Sequence, residues 1–190
     1  MEILNANGRQ NRITNGATEF TMQEQIHEFL YNYEFNKETS QYPFYKVLPK
    51  IVLRELRIPE INRISDHVIL LDNKRTVNIE DKLDSIECVI AQAKDHLQWC
   101  DYSVICVPPD RTYIPTKYIK QIIDLGIGMF YWFNNIGVFE FIVPRYNKLK
   151  DAELRKKIIT RILNNAEGKN ISKYIIDKQN LFEKVADEQI

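Results

Sequence analysis

An α/β fold, a mixed central β-sheet flanked by helices and followed by a C-terminal helical extension, is what this sequence predicts, and three observations predict it. Short apolar runs of strand length alternate with segments whose apolar residues recur at helical spacing. Gly, Pro and Asn punctuate the boundaries between them. The run Asp101 to Val107, stopped by Pro108-Pro109, follows a helical pattern, as a buried strand does when a helical crossover sets it parallel to its predecessor.

The elements follow in order. Thr21-Met22-Gln23-Glu24 has the spacing of a capping box, and Met22, Ile26, Phe29, Leu30 and Tyr33 recur at helical intervals, so a helix is predicted over Thr21 to Tyr33. A polar loop over residues 36–42 precedes an apolar stretch punctuated by Pro43, Pro49 and Pro59, in which Val52 to Ile58 reads as a strand. A β-hairpin spans Ser65 to Lys82 around Asp72-Asn73-Lys74. Ile86, Val89, Ile90, Ala93 and Leu97 mark one face of a helix over Ser85 to Trp99, capped by Asp84 or Ser85. A further helix over Thr116 to Leu125 closes at Gly126, and two strands, Ile127 to Phe133 and Val138 to Val143, join at residues 134–137. Beyond Pro144, Lys148, Lys150, Arg155, Lys156, Lys157 and Arg161 interleave with Leu154, Ile158, Ile159 and Ile162, which predicts an amphipathic helix with a basic outer face. Another helix is predicted over Ile171 to Val185. The division is a polar N-terminal segment (1–20), an α/β domain (21–146) and the helical extension (147–190).

The hairpin carries the candidate site. Period-2 geometry puts Glu80 and Lys82 on one face of its second strand, where a carboxylate and an ammonium are useful at a phosphate. A two-residue turn would set His67 opposite Glu80, whereas a three-residue loop brings Asp66 across from it. Both registers are open from the sequence, and only the second makes a site. Two other acid-x-Lys triplets, Asp72-Asn73-Lys74 and Glu167-Gly168-Lys169, fall in polar or turn segments where side chains meet water. A surface Glu–Lys pair worth at most about 1 kcal/mol is the competing account of Glu80 and Lys82.

The rest of the composition excludes more than it proposes. The 190 residues, 44% of them hydrophobic, suffice for a core, and no apolar run approaches the roughly 20 residues of a membrane span, so no membrane partner is expected. Met1 to Gly16 is polar and Asn-rich, unlike a signal or transit peptide, which predicts a cytoplasmic protein. The 26 basic residues balance 26 acidic ones, so any affinity for a polyanion must come from a local basic face, for which Lys156, Lys157 and Arg161 are the candidates. Cys88, Cys100 and Cys106 are too irregularly spaced for a zinc cage and read as small core residues. Trp99, Trp132 and the tyrosines read as core in preference to base-stacking platforms, and His67 and His96 as partly buried or surface histidines in preference to general bases.

Taken together, Glu55, Asp66, Glu80-Asp81-Lys82, the helix after them, Cys100-Asp101-Tyr102-Ser103-Val104-Ile105-Cys106-Val107-Pro108 and Gly126-Ile127-Gly128 resemble the PD-(D/E)xK nuclease superfamily, which has the restriction-endonuclease-like fold. The likeness is greatest to its small stand-alone bacterial or viral members and spans about Leu53 to Pro144. It implies that Asp66 and Glu80 are metal ligands, that the Asp81 carbonyl is a further ligand, and that Lys82 positions the attacking water or neutralises charge. Glu55 matches an upstream acidic position, and Gln92 a polar position that completes the site in some branches. The implied cofactor is Mg²⁺, with Mn²⁺ as substitute, and the implied activity is endonucleolytic hydrolysis of DNA; a homodimer is compatible with it. Asp81 departs from the pattern, which usually has an apolar, core-facing residue there; a buried carboxylate needs a partner or a bulge. Ser65 stands where a proline often precedes the first acid. The alternative is a catalytically inactive nuclease-like domain that binds nucleic acid or assembles with protein partners.

Overall fold

The computed structural model describes residues 18–32, 49–71, 73–109, 114–148 and 151–168. The predicted N-terminal segment, the loop over 36–42 and the helix over 171–185 lie outside the described residues. Six strands form one sheet in the order β1 (Pro49–Ile58), β2 (Arg63–Leu71), β3 (Thr76–Asp81), β4 (Tyr102–Val107), β5 (Gly128–Phe133) and β6 (Gly137–Ile142). Pairing is antiparallel from β1 to β3, parallel from β3 to β5 and antiparallel again for β5–β6. The two parallel steps coincide with the helical crossovers α2 (Ile86–His96) and α3 (Thr116–Leu125), as connectivity requires. The mixed α/β class read from the sequence is the one observed.

Helices cover both faces. On one, α1 (Glu19–Asn32) buries Met22, Ile26 and Leu30 against Val52, Ile69, Val77, Ile79, Val104 and Trp132. On the other, α2 and α3 pack over Ile105, Val107 and Met129, while α4 (Ala152–Gly168) lays Leu154, Ile158, Ile159 and Ile162 on Leu53, Leu56, Val68 and Leu70. The helix predicted as an extension is therefore one wall of the core. β3 and β4 are buried at every position, so the polar residues they carry sit in the middle of the protein.

Local signals were read mostly to within two residues. Ser85 caps α2 through Cys88 N–H (3.4 Å), and Gly126 ends α3 in the left-handed region at φ 73°. The α1 cap is Thr18, whose Oγ1 accepts the Thr21 N–H at 3.1 Å, so the proposed capping box at Thr21 lies inside the helix. Trp99 and Trp132 are core, as are Cys100 and Cys106, but Cys88 is exposed because it falls on the outer face of α2.

The β1–β2 ladder has a gap that places the site. Pairs run Leu53↔Val68 and Arg54↔His67, then resume at Leu56↔Ser65, leaving Glu55 and Asp66 facing each other outside the ladder. Glu55 takes a left-handed φ of 54°, which switches the alternation so that Leu53 and Leu56 both point at α4. A β-carbon in that region costs about 1–2 kcal/mol. Glu55→Gly should therefore raise stability, by about 0.5–1 kcal/mol after the extra chain entropy of glycine, read as a higher urea midpoint. A lower midpoint would show that the Glu55 side chain contributes more than its backbone strain removes.

Candidate metal and phosphate site

The hairpin adopts the register of the three-residue loop. Leu70 pairs with Thr76, Ile69 with Val77, Val68 with Asn78 and His67 with Ile79, and the Leu71 N–H bonds to the Arg75 carbonyl at 2.9 Å. Extending that register by one residue sets Asp66 across from Glu80. Because Asp66 has left the β1 ladder, its carboxylate is free to turn along the sheet end: Oδ2 accepts the Asp81 N–H at 2.9 Å and Oδ1 accepts Gln23 Nε2 at 3.3 Å.

Consecutive residues of a strand face opposite ways, and Glu80 and Asp81 each meet a histidine. On the α2 side, Glu80 Oε1 lies 3.1 Å from His96 Nε2; on the α1 side, Asp81 Oδ2 lies 2.9 Å from His67 Nδ1. All four side chains are fully buried, and the two contacts are close without being aligned as hydrogen bonds, since His67 Nδ1, His96 Nε2 and the carboxylate oxygens of Glu80 and Asp81 all lack a hydrogen-bond partner. The buried carboxylate that departs from the family pattern thus has its partner in His67, whose ring also stacks on His27 of α1 at 5.6 Å. Under Glu80 a polar thread crosses the sheet: Ser65 Oγ to Asn78 Oδ1, Asn78 Nδ2 to Ser103 Oγ (3.3 Å), and Ser103 Oγ to the Ala93 carbonyl (2.9 Å).

Charge is concentrated here. Burial, reinforced by the neighbouring Asp81 charge, pushes the Glu80 carboxyl up to about 8. Burial and the charges of Glu80 and Asp81 likewise hold Asp66 well above the usual carboxylate range. Burial works against the Lys82 ammonium, but Glu19, and behind it Asp66 and Glu80, outweigh burial and raise its pKa. Burial lowers His96 to about 4, so its imidazole is neutral.

Several expectations need correction. Glu80 was expected at an open cleft; it is fully buried, while Asp66 and Lys82 are half-buried. Glu80 and Lys82 were expected to share a face, yet Lys82 lies just past the end of β3, where alternation stops, and its Nζ reaches Glu19 of α1 at 3.0 Å. His67 and His96 are core residues paired with carboxylates. Glu55 is exposed, and Gln92, half-buried on α2 one turn before His96, has a buried Oε1 with no hydrogen-bond partner. The basic face of α4 is partly committed: Arg161 makes two bonds to Glu60 (2.8 and 2.9 Å), holding that carboxyl down at about 2, and Arg155 reaches inward to Asp101, which leaves Lys156 and Lys157 exposed.

Sequence reasoning passes over Glu19 and Gln23, and it reads His67 and His96 as partly buried or surface histidines where both are fully buried. The two histidines had a signal: His67 alternates with Ile69 and Leu71, and His96 continues the Val89, Ala93 face of α2. Glu19 and Gln23 had none, since they meet Lys82 and Asp66 across 63 and 43 positions of chain.

The donor set suits a hard cation in kind. It is all oxygen, both oxygens of Glu80 and both of Asp81 lack a hydrogen-bond partner, and three acids outnumber the single lysine. Among the described residues, no three His, Cys, Asp or Glu side chains converge as a metal cage. Magnesium binds through one or two carboxylates and retains waters; Asp66, half-buried at the sheet end, is the acid nearest solvent, whereas Glu80 faces His96 inside the sheet and the Asp81 carboxylate is turned to His67.

Neither a protein-family model nor a curated protein matches the chain. Among solved structures, a protein of unknown function from Silicibacter pomeroyi is similar at 18% identity and a TM-score of 0.48, over 62% of this chain and 75% of that one. No helix among the described residues is long and apolar enough to cross a membrane.

Proposed function

We propose that the protein is a Mg²⁺-dependent phosphodiesterase acting on DNA as an endonuclease, with Asp66 and Glu80 as metal ligands and Lys82 beside them. The observation that carries this reading is the convergence of Asp66, Glu80 and Lys82 at one end of the hairpin, where burial and the neighbouring acids raise both carboxyls, so that each holds a proton that a cation could displace. A divalent ion there would neutralise the substrate phosphate and acidify a bound water. Asp66, held by the Asp81 N–H and Gln23, presents the accessible oxygen donors, and Glu80 backs them from within the sheet. Lys82 stays protonated and is suited to stabilising charge that develops on phosphate oxygens. DNA would approach from the half-buried Asp66 and Lys82 side. Lys156 and Lys157, on the helix that covers the opposite face of the sheet, would give a separate electrostatic contact to backbone and carry none of the Asn or Gln that reads adenine.

The second reading, a catalytically inactive nuclease-like domain that binds nucleic acid or protein, is favoured by the burial of Glu80 and the capture of Lys82 by Glu19. Supercoiled, linear, branched and single-stranded DNA incubated with Mg²⁺ or Mn²⁺ separates the two. Wild type is expected to cut at least one substrate, Glu80→Gln to lose cleavage with its metal, and Lys82→Ala to lose about 10²–10³-fold in rate with metal bound. Cleavage absent in all, or equal in all, would leave the inactive reading standing.

A further inference from the structure

The two edges of the sheet are built differently. β1 closes one side with a broken ladder, a left-handed Glu55 and the exposed side chains of Glu55 and Arg57, devices that keep a further strand from adding there. β6 closes the other side with Gly-Val-Phe-Glu-Phe-Ile, whose one charge, Glu140, shares the α1 side of the strand with Val138. The opposite side carries Phe139 and Phe141, 51% and 54% exposed, and the turn before the strand adds Ile136 at 74%. These rings continue inward as cross-strand pairs, Phe141 on Tyr131 with centroids 4.7 Å apart and Phe139 on Phe133 at 5.6 Å. Three of the seven large apolar side chains exposed among the described residues thus sit on or beside one unguarded strand. β5 and β6 contain no Lys or Arg, so the strands themselves lack the positive charge that tracks a nucleic-acid backbone and fit a protein partner better.

We propose that β6 is an interface between two copies of this chain, its edge pairing antiparallel with the same strand of a second copy so that two sheets become one. A strand edge is self-complementary under a two-fold axis, because the antiparallel copy offers each outward N–H and C=O the partner it lacks. An axis normal to the sheet keeps both aromatic rows on one face and both α1 helices on the other. Charge and overlap select the register. Centring on Glu140 sets like carboxylates opposite one another, whereas centring on Phe139 puts each Glu140 across from Val138 and still pairs Gly137 through Phe141. A buried aromatic covers about 150–250 Å², so Phe139 and Phe141, with Ile136 and the open parts of Tyr131 and Phe133, offer roughly 400 Å² per copy, about half of the ~800 Å² that a standard interface buries on each side. The paired edge, roughly 20 Å long, supplies the remainder. This interface is independent of the metal reading.

Sedimentation velocity and light scattering on the full-length protein, from about 1 to 100 µM, should show a monomer–dimer equilibrium with a Kd on the order of 10 µM. Phe139→Lys and, separately, Phe141→Lys should each raise that Kd at least about tenfold, since lysine on an edge strand opposes pairing. Both side chains are half exposed, so circular dichroism should show both variants folded. Register is read by cross-linking in a Cys88→Ser background, which removes the exposed native thiol. On mild oxidation Phe139→Cys should form a disulfide with its own copy, and Ile136→Cys, which the register sets apart from its copy, should not. A disulfide at residue 136 and none at 139 would overturn the register. Wild type that stays monomeric at every concentration, or a dimer that both lysine variants leave intact, would overturn the interface. A monomer that binds a single-stranded oligonucleotide and loses it with Phe139→Lys would overturn the second copy in favour of a base-stacking platform.

Discussion

Without divalent metal, Glu80→Gln should gain stability over the wild type as pH rises from about 4.5 to 8, by about 1.4 kcal/mol per pH unit, and the advantage should vanish toward pH 4.5. A carboxyl at about 8 in the folded protein and at 4.5 unfolded keeps its proton on folding, so stability falls as pH rises between those values, by about 1.4 kcal/mol per pH unit. His96 has the opposite sign. Lowered from 6.5 to about 4, it makes the unfolded chain the better proton binder between those values, so stability rises with pH there. The His96 and Glu80 slopes oppose one another from about 4.5 to 6.5, and above about 6.5 the carboxyl losses act without that offset. In Glu80→Gln the His96 rise remains, beside the fall from Asp66, whose carboxyl is also raised. Urea midpoints in chelator across pH 5–9 measure this. Adding Mg²⁺ or Mn²⁺ at pH 8 should then stabilise the wild type and leave the variant unmoved, because the metal takes the place of the proton. Parallel pH profiles for the two proteins would mean that Glu80 is ionised in the fold and solvated by groups other than a metal.

Asp101→Ala should destabilise the protein by about 3–5 kcal/mol, the range found when one partner of a buried ion pair is removed. Only 2% of the Asp101 side chain is exposed, and its Oδ2 accepts from Thr76 N (2.8 Å), Thr76 Oγ1 (3.1 Å) and Arg155 Nη2 (3.0 Å). Arg155 also donates to the Lys74 carbonyl at 2.9 Å, so one carboxylate joins the start of β4, the hairpin turn and α4. Truncation leaves a buried N–H, a hydroxyl and a guanidinium short of an acceptor. Urea unfolding at pH 7 reads the loss as a lower midpoint at unchanged slope. A loss below 1 kcal/mol would show that water substitutes for the carboxylate. The double variant Asp101→Ala, Arg155→Met should recover part of the loss, since it removes both charges.

What the sequence makes legible in this protein follows contact distance. β3, β4, the parallel crossover and the Gly126 stop were legible because periodicity and turn residues are local. The hairpin register was narrowed to two options by the residues around the turn; the left-handed Lys74, φ 63°, accompanies the longer loop that decides it. What escaped was held at long range. The reach of α1 over Lys82 and Asp66, the inward turn of Arg155 and the pairing of Arg161 with Glu60 link elements 43 to 101 positions apart. The Glu55 gap escaped for another reason, because a left-handed φ at a glutamate leaves no mark in composition. Glu80 was read as exposed on the rule that charges face water. The sheet instead buries it with a neutral histidine.

The placement of α4 has a consequence for the order in which the protein is made. Leu53, Leu56, Val68 and Leu70 belong to strands synthesised early, yet the helix that covers them is the last described element of the chain. Asp101 leaves the ribosome 54 residues before Arg155. Until then the hairpin bearing Asp66 and Glu80 can pair with β1 and β4 while one apolar face of the sheet stays open to water. A nascent chain that holds β1 to β4 but not yet α4 therefore has nothing of that helix to cover Leu53, Leu56, Val68 and Leu70.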